Sequence, residues 1–305
     1  MAVHSRVAGR LVARFGERQV ALAAVAVAVL AASTSAILIR AGDAPEPVMA
    51  FYRVVFTVCL LLPLARGTGA ELSRVSRRDL LAAGVAGLAL AAHFASWFES
   101  VDRTTIAAST TLVQTQPIFV AVGAFLLLDE RVTRKVVGGI LVAVVGVGTM
   151  SAEGLLGGTT APAPLLGNAL AVVGAVTGAA YWLSGRSIRQ RVSLLPYVLV
   201  VYSVAAVGLL VSLLVQGQPL LGYAAHEWAL FLGMAVGPGI LGHTLINWAL
   251  EHVQSSLVSV SLVGEPVGST ILAAVVFGEI PGLVTLAGGA VVITGIVVTA
   301  RAYRA

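Results

Sequence analysis

The 305-residue chain is 58% apolar and 11% charged, with a mean hydropathy of +0.96. A soluble domain carries about 25% charged residues, and a chain this short lacks the interior to hide so much apolar surface, so lipid is its expected solvent. The net charge of +5 resides mainly in arginines between apolar runs, which argues for membrane sidedness rather than nucleic-acid binding, and the lone Cys59 excludes an intrachain disulfide or cysteine zinc ribbon.

A bilayer core about 30 Å thick needs about 20 apolar helical residues to span it. In chain order, such runs occupy 20–39, 47–64, 80–98, 106–128 and 135–151, then 169–188, 196–215, 228–250, 255–277 and 284–300. The first follows Arg6, Arg10, Arg14 and Arg18 and contains a signal-like Ala32–Ala36 stretch, but it continues through Ile39 and is expected to be a retained helix. The runs are continuous rather than alternating, which predicts helices and not barrel strands. The expected fold is therefore an all-α integral membrane protein of ten transmembrane helices.

Turn residues punctuate the spans: Gly42-Asp43-Ala44-Pro45, Gly157-Gly158-Thr159-Thr160-Ala161-Pro162 and Gly217-Gln218-Pro219. With the N-terminus inside, sixteen Lys and Arg fall on the cytoplasmic side and only Arg40 and Arg103 on the other; Arg53 lies within span two. That asymmetry predicts a multi-pass plasma-membrane protein of a prokaryotic cell with both termini cytoplasmic.

The two halves superpose at a constant shift of 149 residues. Arg40 maps to Arg189, Pro47 to Pro196, Pro117 to Pro266, Glu130 to Glu279 and Gly139 to Gly288. Five spans per half is an odd number, so the second half enters the membrane from the opposite side. This predicts a 5+5 inverted-topology repeat, a construction used for alternating access. The expected parts are a cytoplasmic tail over 1–19, a first repeat over 20–151, a linker over 152–168, a second repeat over 169–300 and a tail over 301–305.

Ionisable groups inside a membrane are costly, so each is a functional candidate. Glu265 lies about ten residues into span nine, beside Pro266, with Ser261, Gly264, Gly268 and Ser269 on its helical face. It binds substrate or a coupling proton, or else it is a buried acid bonded to neighbouring helices. Arg53 holds an anionic substrate group, or it snorkels or makes a fixed ion pair. Span four offers Ser109, Thr110, Thr111, Gln114, Thr115 and Gln116 as a cavity wall, with Gln116 before Pro117 as the repeat mate of Glu265 before Pro266. His93 with Trp97, and His243 with Asn247, sit one turn apart on equivalent spans and line the cavity or serve packing. The same choice stands for Tyr181 and Trp182. Glu130 and Glu279 at the exits of spans four and nine are expected in solvated loops with ion pairs, with gating as the alternative. Glycine pairs such as Gly84/Gly87, Gly174/Gly178 and Gly288/Gly289 are close-packing signals.

Short motifs recur in order across both halves: Ala50-Phe51-Tyr52-Arg53, Gln116-Pro117-Ile118-Phe119, Leu127-Leu128-Asp129-Glu130-Arg131, then Ala180-Tyr181-Trp182, Gly264-Glu265-Pro266-Val267 and Phe277-Gly278-Glu279. On these residues the chain resembles the EamA-type transporters of the drug/metabolite transporter superfamily over nearly its whole length. Pro281 is a departure, standing where a basic or polar residue often follows. The resemblance implies a ten-helix inverted-repeat bundle with a central cavity that moves metabolites.

The expected function is a secondary transporter or facilitator for small metabolites, with amino acids and related organic solutes as candidates and export the preferred direction. A drug or toxic-compound efflux carrier is the alternative. A membrane-embedded enzyme and a scaffold subunit are the readings from other classes. No phosphate-binding loop, His-Glu-x-x-His or Cys-x-x-Cys motif is present in the sequence, so no catalytic residue, metal or cofactor is expected. The expected partners are the lipid bilayer, a small-molecule substrate and a coupling proton.

Overall fold

The computed structural model describes residues 16–65, 73–104, 106–150, 163–278 and 281–303, and every regular element among them is helical. In chain order these are α1 (Glu17–Arg40), α2 (Glu46–Leu61) with a 3-10 turn at Pro63–Ala65, α3 (Arg77–Arg103), α4 (Ile106–Val113), α5 (Gln116–Leu127) and α6 (Arg134–Met150). Then follow α7 (Pro164–Ile188), α8 (Leu194–Val215), α9 (Ala225–Met234), a π-helical segment (Ala235–Thr244), α10 (Leu245–Ala249), α11 (Ser255–Leu262), α12 (Glu265–Phe277) and α13 (Leu283–Ala302). The central Gly157–Pro162 linker, Glu279 and the basic tail before Gly16 lie outside the described residues.

Local chemistry sets the ends. Ser76 caps α3, its hydroxyl accepting from the Asp79 N–H at 3.0 Å. Prolines 47 and 164 stand in the first turns of α2 and α7, where a missing N–H is harmless. Gly278 closes α12 at φ 70°, a left-handed conformation that glycine adopts without strain.

Eight helical stretches among the described residues are long and apolar enough to cross a membrane, and the chain is a multi-pass membrane protein. In the expected fourth span the helix turns at Gln114–Thr115, and Thr111–Leu127 is apolar but shorter than the eight. The fifth is the 17-residue α6, which ends at Met150 beside residues outside the description. The outward faces carry large apolar side chains such as Leu30, Leu81, Phe125, Val211 and Val275, which lipid accepts at no cost.

The 149-residue shift reappears in the backbone. α4 and α11 begin 149 residues apart, at Ile106 and Ser255. Both are followed by a two-residue turn, at Gln114–Thr115 and Val263–Gly264, and both resume 149 apart, at Gln116 and Glu265. Packing follows the same relation. α3 packs on α7 as the π segment packs on α1, and α5 packs on α7 as α12 packs on α1. The self-paired elements are α6 with α13 and α2 with α8.

Glycine makes the α6–α13 contact close. A Cβ on Gly295 would lie 2.5 Å from the Ala143 nitrogen and 2.6 Å from the Gly139 oxygen, both backbone atoms of α6. Without water in the bilayer, such close van der Waals packing is a main source of helix association. Gly295→Leu is expected to lower stability by about 1–3 kcal/mol through overpacking. Thermal unfolding in detergent checks this, and an unchanged midpoint would count against the tight contact.

Candidate solute cavity

A cavity of about 980 Å³ lies between the two halves. One end reaches Gly42, Ala44, Pro45 and Gln218, in the loops after α1 and α8. Its wall includes eight of the polar or aromatic side chains singled out from the sequence: Arg53, His93, Trp97, Gln114, Gln116, Trp182, His243 and Glu265. Pro266 lines it too. Pro117 is buried, and Thr111 of α4 is not among the lining residues.

The two broken helices place the central pair. Gln116 and Glu265 each occupy the first position of a resumed helix, with proline next. The positive end of a helix dipole favours a negative group there, and broken helices presenting their ends to a midplane site are a recurring transporter device. Ser33 of α1 fastens this region, donating to the Glu265 carbonyl at 3.2 Å and accepting from the Ser269 hydroxyl through its own carbonyl at 3.0 Å.

Arg53 is 6% exposed, so it does not snorkel; its guanidinium lies 4.3 Å above the centre of the Phe94 ring and donates to Ser35 at 3.4 Å. A cation over an aromatic face is held electrostatically and loses less on leaving water. Arg53 and Glu265 both line the cavity. Together they offer one cationic and one acidic anchor.

Aromatic and donor groups fill the space around them. His93 Nδ1 lies 2.7 Å from the Gly174 carbonyl, which only accepts, so that nitrogen carries the proton. His243 packs among Phe94, Tyr181 and Trp182, with ring centres 5.3–6.1 Å away. Trp97 Nε1 and Gln116 Nε2 are buried donors without a protein partner among the described residues. Buried donors seek acceptors, and these two border the cavity.

Two expected wall residues stand behind the wall instead. Asn247 Nδ2 donates to the Tyr181 hydroxyl at 2.6 Å and to the His243 carbonyl at 2.8 Å, and both side chains are fully buried. Their mutual hydrogen bond lies behind the cavity wall, and neither residue lines it. Tyr181→Phe is therefore expected to cost about 0.6 kcal/mol, the average for a membrane hydrogen bond, and to leave substrate affinity unchanged. Thermal unfolding and a binding isotherm measure the two effects.

The π segment was not anticipated. Its Gly237-Pro238-Gly239 run is the sequence signal that marks it, since proline removes a backbone donor and glycine permits close approach. Thr244 Oγ1 donates to the Gly239 carbonyl at 3.1 Å, five residues back, satisfying an acceptor in the widened turn. Wide turns of this kind often occur at functional sites, and Pro238 and His243 both line the cavity.

The far end of the bundle is closed by polar groups. Glu130, expected in a solvated loop, is 8% exposed because neighbours surround it: its carboxylate accepts from Arg186 Nε at 3.2 Å and from the Ser255 N–H and hydroxyl, each at 3.0 Å. Arg186 also donates to the Leu250 and Glu251 carbonyls, and Arg189 pairs with the Glu251 carboxylate. Burial pulls the Arg189 guanidinium below its ordinary range while Glu251 opposes that shift.

The sequence pattern of the EamA-like transporter family matches residues 19–152 and 165–301. The chain is 26% identical over 285 residues to the pseudopaline exporter CntI of Pseudomonas aeruginosa strain UCBPP-PA14, covering 92% of this chain and 96% of the relative. The protein of that name from strain PAO1 matches to the same extent. A solved crystal structure, 21% identical, superposes with a TM-score of 0.79 over 94% of this chain and 99% of the other, a likeness in fold.

Proposed function

The chain belongs to the EamA-like transporter family and is a transporter rather than an enzyme; from that premise we propose that it is a secondary carrier exporting small amphoteric metabolites by alternating access. The supporting observation is the cavity between the halves that carries both Arg53 and Glu265. A guanidinium anchors a carboxylate, and a carboxylate anchors an amine. Amino acids and related organic solutes combine the two. The exporter relative's name supports the direction.

We further propose ten membrane-spanning helices, α4–α5 together and α6 supplying the two beyond the eight long stretches, in a 5+5 inverted repeat. The paired helix breaks 149 residues apart support this count. The arginine asymmetry supports a plasma-membrane orientation with both termini cytoplasmic, and in that orientation the cavity opens outward and the Glu130 end faces the cytoplasm. Labelling of cysteines introduced at residue 160 and in the N-terminal tail should place them in opposite compartments; the same compartment would end the inverted-repeat proposal.

Transport is tested in proteoliposomes with labelled amino acids, with and without a pH gradient. Gradient-dependent accumulation of an amphoteric solute is expected, and failure to accumulate any such solute would remove the substrate class. The aromatic wall of Phe94, Trp97, Phe98 and Trp182 favours efflux of flat organic compounds as the second reading. Competition by an uncharged aromatic solute, unaffected by Arg53→Lys, would select it.

A further inference from the structure

We propose that Asp43, His226 and Glu227 form a divalent transition-metal site at the mouth of the cavity. Asp43 lies in the loop between α1 and α2, and the other two begin α9. One ligand atom from each comes together within 4.8 Å of the other two. His226 Nε2 lies 3.0 Å from Glu227 Oε1 and 3.9 Å from Asp43 Oδ2. Zinc holds nitrogen and carboxylate oxygen at about 2.0–2.2 Å in a tetrahedron, which sets ligand atoms about 3.4 Å apart. The separations differ from that spacing by about 0.4 and 0.5 Å for the two pairs that include His226, and by at most about 1.4 Å for the third. Asp43, whose side chain is 97% exposed, is free to make that adjustment.

The Glu227 carboxylate is what separates this cluster from a chance surface grouping. Its side chain is 3% exposed. Oε1 accepts from the Asp43 N–H at 2.6 Å, while Oε2 is buried without a partner among the described residues. A carboxylate buried with one bare oxygen is costly, and a cation held at that carboxylate through Oε1 offsets the cost. The bare oxygen faces the chain at Gly42, where an added Cβ would lie 2.8 Å away, beside Asp43. One imidazole and two carboxylates suit zinc, nickel or copper better than calcium, and three protein ligands leave a position for water.

The site joins the loop between α1 and α2 to the first turn of α9. Gly42, Ala44 and Pro45 on the same loop line the cavity mouth. A metal bridging the loop to α9 fixes that rim in the arrangement seen here. Sequence reading expected no metal because Asp43 and Glu227 are 184 residues apart, so no spacing motif announces them.

The test is zinc titration of the tag-free, full-length protein in detergent, by calorimetry and by thermal unfolding. One zinc per chain is expected, with a rise in Tm of several degrees at saturating zinc. His226→Ala and Asp43→Asn, both exposed positions, should each weaken binding at least tenfold and remove the Tm rise while leaving the metal-free Tm unchanged. Absence of zinc binding to the native chain overturns the proposal. So does binding that persists at full strength in both variants, which would place the metal on other histidines. Neither result bears on transport, because metal binding is read independently of solute movement.

Discussion

Glu265→Gln carriers in proteoliposomes are expected to lose gradient-driven accumulation while still exchanging solute across the membrane. Glutamine matches glutamate in volume, so the cavity wall keeps its shape and only the charge and the titrating proton go. Under the proposed cycle, an ionised Glu265 holds the substrate amine and Arg53 its carboxylate. A proton arriving from the outside neutralises Glu265 and releases the amine outward. The same proton leaves on the inside, where substrate replaces it. Proton and amine thus compete for one carboxylate, which is sufficient for exchange of one against the other.

The size of the effect follows from the gradient. One pH unit corresponds to about 1.36 kcal/mol per proton, so one-for-one exchange sustains about a tenfold solute ratio per unit. In Glu265→Gln that ratio should fall to about one, while counterflow of labelled against unlabelled solute continues. An unchanged ratio would show that Glu265 carries no coupling proton. Loss of counterflow together with a lowered Tm would instead assign Glu265 a structural role beside Ser33 and Ser269, and would equally remove the coupling proposal. Arg53→Lys provides the complementary measurement: the charge stays but the planar fork is lost, so a rise in KM of about tenfold with little change in the pH response is expected.

The legible parts of this structure were those governed by local rules. Lipid-facing apolar runs reveal themselves by length, and the duplicated pattern survives as a fixed shift, with Gln116-Pro117 and Glu265-Pro266 opening equivalent resumed helices. The break itself was harder to see. Gln114–Thr115 and Val263–Gly264 contain no strong helix breaker beyond one glycine, and the proline falls two residues later, inside the resumed helix. Tertiary pairing also escaped prediction. Tyr181 and Asn247 have the character of cavity residues, yet they meet across 66 positions and bond to each other. Glu130 has the sequence context of a loop charge, but Ser255, 125 positions away, donates to it twice. The π segment shows the same limit from the other side: Gly237-Pro238-Gly239 signals irregularity without specifying a widened helix.

Glu130→Gln is expected to open the closed end of the bundle. Glu130 joins the exit of α5 to Arg186 at the end of α7 and to Ser255 at the start of α11, and so ties the first half to the second. Removing one partner of a buried ion pair costs about 3–5 kcal/mol, but Arg186 is 22% exposed and keeps its bonds to the Leu250 and Glu251 carbonyls. Solvent screening therefore reduces the expected loss to about 1.4 kcal/mol, a tenfold shift toward the open arrangement. The readout is the labelling rate of a cysteine placed at Leu262, a cavity residue, in a Cys59→Ser background, with reagent on the Glu130 side. About a tenfold faster rate is expected, and an unchanged rate would show that the ion pair does not hold this end shut. The repeat makes the effect one-sided. At the 149-residue shift, Arg186 corresponds to Ile37 and Ser255 to Ile106, so these two donors to Glu130 have no counterpart in the repeat. A carrier built this way rests with the latched end shut and the Asp43 end open, as seen here, and the energy of breaking the Glu130 contacts becomes part of the barrier to loading from the latched side.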